Sequence, residues 1–353
     1  MPVNVLLTCA GRRSYIVKAF KEAVKGRVFA CDASGDAPAL READGAFITP
    51  RVDDADYIGA LLEICGKHSV GLLIPALETE LGLLAENRER FLAVGTTPLV
   101  SSPEVVRICH DKLETSRFLK KLGVGVPCNY LSPEPAQEAV SRGELRFPLV
   151  IKPRWGVSSI GMEFAADKEE LALAFSLLKI RIARGEWSAL GGDDPEHSLL
   201  IQERLRGEEY GLDIINDLTG RHVCTFVKRK LRMHAGQTDR AVTVKDENLE
   251  ELGRRIGEAL GHTGMLDCDV FRTEAGFSVI DLNPRIGGGY PYSHMAGANF
   301  PAALSAWVRG VEPDPAWFEI EAGVEAGRAD LFVVTRRPAK FGANENLMKL
   351  SEK

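Results

Sequence analysis

Residues 3–8 form a continuous apolar run that stops at Cys9-Ala10-Gly11, and from 14 to 24 apolar residues recur at helical spacing. A second apolar run at 28–31 closes on Asp32. Strand, turn, helix and strand in that order predict a βαβ unit, and the short apolar runs at 46–48, 70–74 and 91–94 extend it. A parallel sheet is therefore expected over the first hundred or so residues. Ser102-Pro103-Glu104 then has the form of a helix start, with serine as cap and proline at the first helical position. The next helix carries Asp111-Lys112 and ends near Gly123. An apolar strand at 147–152 leads to a Gly/Ser loop at 156–161, and 168–182 has helical spacing. The polar, glycine-bearing stretch 184–197 predicts a mobile loop. Strands follow at 198–202, 210–216 and 223–228, a helix at 248–260, and strands at 266–271 and 277–282. This half alternates less regularly, which favours α+β architecture, and the last forty or so residues are weakly patterned.

The 353 residues suffice for two or three domains, and 45% hydrophobic with 27% charged residues is ordinary globular composition. A net charge of −6 gives no global attraction to nucleic acid or to an anionic membrane. The seven cysteines contain no C-x-x-C pair, so neither a disulfide framework nor a zinc site is expected. Residues 1–4 run into a strand without a basic leader, and no stretch approaches the roughly 20 apolar residues of a spanning helix, which predicts a cytoplasmic protein.

Several common chemistries lack their residues. Residues 8–13 read T-C-A-G-R-R, with one glycine where a dinucleotide fingerprint has three. Gly66-Lys67 is followed by His68 and lacks the first glycine of a P-loop, and residues 156–161 miss G-x-S-x-G by one position. What is present points to polyphosphate. Lys152 ends a strand beside a loop rich in glycine and serine, offering a point charge and exposed N–H donors. A plain flexible hairpin accounts for the same residues. From 199 to 213 a strand runs into an acidic turn and out again, which can present backbone groups to an adenine edge and a carboxylate to ribose hydroxyls, or form a surface hairpin. Asp269 lies in one strand, and Asp281 and Asn283, two residues apart in the next, point to one face. Oxygen ligands on one face suit Mg²⁺ held jointly with substrate phosphates, with Arg285 beyond them to neutralise a transferring phosphoryl group. Paired acids satisfied by nearby arginines are the alternative.

Lys112, Lys152 with its glycine loop, the 202–209 turn, and Asp269, Asp281 and Asn283, in this order and spacing, resemble the ATP-grasp superfamily. More narrowly they resemble one synthetase unit of the carbamoyl-phosphate synthase large chain, over roughly residues 3 to 310. The resemblance implies an α/β N-terminal domain with a parallel sheet of pre-ATP-grasp type at 1–103. An α+β ATP-grasp domain of two lobes would follow, a small lobe at 104–197 and a large lobe at 198–310, with an extension at 311–353. By the same resemblance Lys112 and Lys152 grip the nucleotide phosphates and the loop with Gly156, Ser158, Ser159 and Gly161 closes over them. Gln202, Glu203 and Leu205 match the adenine hinge, Glu209 the ribose carboxylate, and His234 a phosphate-side histidine. Asp269, Asp281 and Asn283 match the ligands of Mg²⁺ or Mn²⁺, with Asp281 where the superfamily more often has Glu. Arg285 matches the arginine near the acyl phosphate.

An ATP-dependent carboxylate–amine ligase that forms an acyl phosphate and releases ADP and phosphate is the activity this implies. Small-molecule acid and amine are its substrates, and a homodimer is a superfamily expectation. Arg285, Gly288, Gly289, Tyr290, Tyr292 and Arg232 are the expected substrate contacts, through backbone donors, aromatic walls and positive charge. A bicarbonate-activating relative would use the same site, and a non-catalytic or partner-dependent nucleotide-binding subunit is the alternative of another class.

Overall fold

A computed structural model of the chain describes residues 2–156, 160–185, 194–329, 332–334 and the backbone of 347–348. The first layer is β1 (Asn4–Thr8), α1 (Ser14–Ala23), β2 (Val28–Asp32), β3 (Gly45–Ile48), α2 (Tyr57–Lys67), β4 (Val70–Pro75), α3 (Leu81–Glu86), α4 (Arg88–Ala93) and β5 (Thr97–Pro98). Its strands pair in parallel in the order β3-β2-β1-β4-β5, and the backbone of Leu347–Met348 adds to the β3 edge. Val5, Leu6 and Leu7 are all within 1% of full burial. A parallel strand covered on both faces has no polar side to show, which is why β1 reads as an unbroken apolar run.

The second layer comprises α5 (Pro103–His110), α6 (Lys112–Lys121), β6 (Asn129–Tyr130), α7 (Pro133–Ser141), β7 (Leu149–Pro153), β8 (Glu163–Ala165), α8 (Lys168–Ala183) and β9 (Leu199–Glu203). Its four strands form an antiparallel sheet, β6-β9-β7-β8. The third layer is β10 (Glu208–Asn216), β11 (His222–His234), β12 (Gln237–Val244), α9 (Glu247–Leu260), β13 (Met265–Thr273), β14 (Gly276–Asn283), α10 (Tyr290–Met295), α11 (Phe300–Val308) and β15 (Glu325–Gly327). These strands make a six-stranded antiparallel sheet, β14-β13-β10-β11-β12-β15. One face packs on α9 through Leu212, Leu266 and Cys268 against Leu249, Leu252 and Ile256, leaving the opposite face to polar residues. Phe300 and Leu304 of α11 share a core with Ile16, Val17 and Phe20 of α1, so the first and third layers are fused. Among the described residues no helix is long and apolar enough to cross a membrane, and the seven cysteines are unpaired.

Two sequence expectations are corrected, at 91–94 and 223–228. Residues 91–94 are not a strand: Phe91 is buried while Glu89, Arg90 and Val94 are exposed, so the run is one inward residue at the end of α4. The helix expected to carry Asp111-Lys112 is α6, separate from the one that Ser102 opens: Asp111 is extended and its carboxylate caps α6, accepting from Leu113 N at 2.9 Å. The strand expected at 223–228 runs on to His234, in a ribbon paired with β12. Of the loop expected at 184–197, residues 186–193 lie outside the described residues, and Pro195–His197 is a 3₁₀ turn capped by Asp194.

Candidate active site

Between the second and third sheets lies a cavity of about 880 Å³. Lys112, Lys152, Gly156, Gln202, Glu203, Leu205, Glu209, Asp269 and Asp281 all line it, drawn from helix, strand and connection across 170 residues of sequence. Val150, Met162, Phe164, Met233, Phe271 and Ile280 supply apolar walls that the sequence reading did not single out. Strand alternation puts Val150 on the face of Lys152 and Phe271 on the face of Asp269, and the irregularity that pairs Asp269 with Asp281 but Val270 with Val279 brings Ile280 to the cavity beside Asp281.

Each lysine is held differently. Lys112 opens α6 and its Nζ donates to Gly156 O at 2.6 Å, 3.4 Å from Asp281 Oδ1. Lys152, near the end of β7, is paired to no acid at contact distance among the described residues; burial and the neighbouring Lys112 lower its pKa to about 8, against the pull of Asp281 and Asp269. The loop root is fixed from behind. Arg154 makes a two-pronged ion pair with Asp111 at 2.7 and 2.6 Å, and the Lys112 N–H donates to Arg154 O at 3.2 Å. Asp111 thus caps α6 and anchors the glycine loop, and neither it nor Arg154 was singled out from sequence. Ser158 and Ser159 lie outside the described residues, and Gly161 has φ +72°.

The strand crossover follows from one close approach. Gly207 has φ +140°, and a Cβ there would meet Arg272 O at 2.0 Å. Only glycine lets the chain leave β9 and enter β10 against β13, with 204–206 free of both strands at the cavity edge. Gln202 is buried, its Nε2 donating to Asn129 Oδ1 at 2.5 Å, and Glu203 accepts from Cys128 N at 3.2 Å.

The polar face of the large sheet carries the acids. Asp269 stands opposite Asp281 and Asp267 opposite Asn283 in the β13–β14 ladder, while Gly211 and Asp213 of β10 face Asp269 and Asp267. Burial pushes Asp269 up more than Lys230 pulls it down; Lys230 Nζ bridges it at 2.6 Å to Glu209 at 2.7 Å. Burial also opposes charge on Asp281, but Lys112 and Lys152 outweigh it and hold this carboxyl below the usual range. Asp281 Oδ1 is closed from solvent and accepts no hydrogen bond, which fits a divalent cation's ligand. Among the described residues no three His, Cys, Asp or Glu side chains gather as a metal cluster, so a cation here would draw its remaining ligands from Asn283, a phosphate and water.

Arg285 is fully engaged. Its Nε donates to Glu78 Oε1 at 2.8 Å, its Nη2 to the same oxygen, and its Nη1 to Asp267 Oδ2 at 2.9 Å. Burial works against this charge, yet Glu78 and Asp267 hold the guanidinium proton more firmly than usual. Glu78 comes from the first layer, 207 residues away, and had no sequence signal; Asp267, two residues before Asp269, could have been found by strand alternation.

Four expected substrate contacts are elsewhere. Tyr290 is core, its hydroxyl accepting from Phe300 N at 2.9 Å, and Tyr292 is equally buried, donating to Thr238 O at 3.0 Å. A Cβ on Gly289 would stand 2.7 Å from Lys228 Cε, so this glycine serves close packing over the buried Lys228–Asp213 pair, whereas Gly288 meets nothing within 4 Å. Arg232 is exposed and paired with Asp239 at 2.5 Å. His234 sits exposed at the β11–β12 turn, beside the cavity-lining Met233 and Gly236.

Two family models match the chain: "PylC-like, N-terminal domain" over residues 5–99, and "ATP-grasp in the biosynthetic pathway with Ter operon" over 195–327. Residues 195–327 belong to the ATP-grasp superfamily. The chain's ATP-grasp relatives include the carbamoyl phosphate synthase large chain of Methanoculleus marisnigri, 23% identical over 264 residues, which are 72% of this chain and 23% of that one. The D-alanine–D-alanine ligase of Pseudomonas entomophila is 25% identical over 186 residues, 49% of this chain and 54% of the ligase. The ATP-grasp fold recurs in the biotin carboxylase domain of Hydrogenobacter thermophilus 2-oxoglutarate carboxylase, solved with MgADP and bicarbonate. The TM-score is 0.69 at 17% identity, covering 92% of this chain and 73% of the other. The chain spans about a fifth of the length of the synthase large chains it matches.

Proposed function

We propose that the chain is an ATP- and Mg²⁺-dependent, ADP-forming ligase that activates a small-molecule carboxylate and joins it to an amine. The convergence of Lys112, Lys152, Glu209, Asp269 and Asp281 on one cavity is the observation that carries this reading. In it the 202–205 connection receives adenine, Glu209 the ribose, and Lys112 and Lys152 the phosphates, under the loop anchored by Arg154. Asp269, Asp281 and Asn283 would hold Mg²⁺ or Mn²⁺, which when bound offsets phosphate charge. A substrate carboxylate oxygen attacks the γ-phosphorus, the bond to the β-phosphate oxygen breaks and ADP leaves. The amine nitrogen then attacks the acyl carbon, the carbon–oxygen bond to phosphate breaks, and phosphate and a proton depart. Such transfer needs positioning and charge neutralisation rather than a protein nucleophile, which is what two lysines, two acids and an arginine supply.

The relatives support this reading by the activities in their names, ligation of D-alanine to D-alanine and synthesis of carbamoyl phosphate. ADP release from Mg-ATP, measured across a matrix of carboxylic acids, bicarbonate and amines with Lys152→Ala in parallel, is the test. Release that needs both an acid and an amine and is lost in the variant is the expected result. Release with bicarbonate alone replaces the ligase by a bicarbonate-activating enzyme, and ATP binding without release across the matrix replaces it by a binding subunit.

A further inference from the structure

Resting on the ligase reading, the acid–arginine cluster at the junction of the first and third layers says more about the substrate. Glu78, just after β4, is at the carboxyl end of the parallel sheet beside β1, where the chain order reverses from β3-β2-β1 to β4-β5. In open α/β sheets that crevice is where ligands bind. Glu78, His110, Lys112, Gly156 and Asn283 line a narrow recess of about 10 Å³, room for one water, which shares Lys112 and Gly156 with the large cavity.

Arg285 already has two carboxylate partners, and the three side chains are only 13, 10 and 17% exposed for Arg285, Glu78 and Asp267. A substrate carboxylate that comes to Arg285 must displace one of them. The displaced acid would then be nearly buried without a cation, which desolvation strongly disfavours. The neighbouring charges do not relieve it. Lys112 faces Asp281, Lys228 is locked to Asp213 at 2.6 Å, Arg13 turns back to Cys9 O at 3.4 Å and Arg328 turns to Gln237. His110 is held neutral, since burial and Lys112 lower its pKa. A cation carried by the substrate itself resolves the exchange.

We propose that Glu78, supported by Asp267, recognises the ammonium group of a zwitterionic substrate, one bearing a carboxylate and an ammonium on the same molecule, while Arg285 turns to the carboxylate. In the free protein Arg285 stands in for that ammonium. Glu78 is then a specificity-determining residue supplied by the N-terminal domain.

The test uses the full chain with Mg-ATP. The probes are the L- and D-forms of the common α-amino acids and β-alanine, each beside its deaminated acid, and both binding (calorimetry) and ADP release are read. At least one zwitterion is expected to bind and to drive ADP release at least tenfold better than its deaminated partner. Glu78→Gln should collapse that ratio towards one with ATP affinity kept, and Glu78→Asp should restore part of it. A zwitterion that binds in a Glu78-dependent way without ADP release leaves this proposal standing and removes the ligase reading. The proposal is overturned if no zwitterion in the panel binds, if deaminated acids serve as well, or if Glu78→Gln lowers melting temperature and ATP affinity together while the ratio stays unchanged, as a mere latch between domains would.

Discussion

Lys152 carries its ammonium into a buried strand end with no acid in contact among the described residues, and its pKa falls to about 8 for that reason. The charged form grips phosphate, so ATP affinity should be flat below that pH and drop by up to tenfold per pH unit above it, as read by calorimetry. The unliganded fold should respond the opposite way. Between about 8 and the ordinary value of 10.5 the unfolded chain binds more protons at this lysine than the folded chain, so stability rises with pH in that window. Lys152→Ala should abolish both trends; parallel trends in the wild type would mean that another group titrates. Arg285 gives the second prediction at this scale. Arg285→Ala should cut turnover at least a hundredfold while ATP affinity stays within about threefold, because its partners are Glu78 and Asp267 and not the cavity lysines. Equal losses in both would move Arg285 into the nucleotide site.

Among the elements, α6 and the loop after β7 act as one part, because Asp111 is both the cap of α6 and the acid of Arg154. Their side chains are 9 and 11% exposed, so removing one leaves a nearly buried charge. Arg154→Met should cost about 3–5 kcal/mol in urea unfolding and also raise the KM for ATP, whereas Asp111→Asn combined with Arg154→Met should recover part of the stability. Full additivity of the two changes would show that the pair is not coupled. The glycines after β14 belong to the same scale. A Cβ on Gly287 would lie 2.7 Å from Asp267 Cγ, so Gly287→Ala should shift Asp267 and lower turnover more than ATP affinity; unchanged turnover would detach the triplet from Arg285. Element types were legible from apolar spacing, as at 248–260, because an amphipathic face repeats often enough to be read. At 91–94 it did not repeat, and a one-turn helix passed for a strand.

Across the whole molecule the layers meet at a seam near His262. Thr263 N donates to Ser101 Oγ at 3.0 Å, Gly264 packs on Leu99, and His262 itself is fully buried, with Nε2 3.1 Å from Ile214 O. Burial lowers the His262 pKa to about 4. The unfolded chain takes up this proton near 6.5 and the folded chain does not, so stability should fall by roughly 3 kcal/mol as pH drops from 6.5 to 4. Urea midpoints measured across that range, with His262→Gln showing a shallower loss, check it; identical slopes would assign the acid sensitivity elsewhere. The sequence by itself determined the parallel N-terminal layer, the later α+β half, and Lys152 and the paired acids at the cavity, because strand alternation and local spacing are properties of neighbouring residues; Lys112 and Glu209 came through the family resemblance. Only the tertiary structure decided that Glu78 meets Arg285 across 207 residues, that Asp111 holds Arg154, and that Tyr290 and Tyr292 are core rather than substrate wall. Those outcomes depend on which faces the folded layers bring into contact, and local spacing carries no record of a partner that folding supplies from another layer.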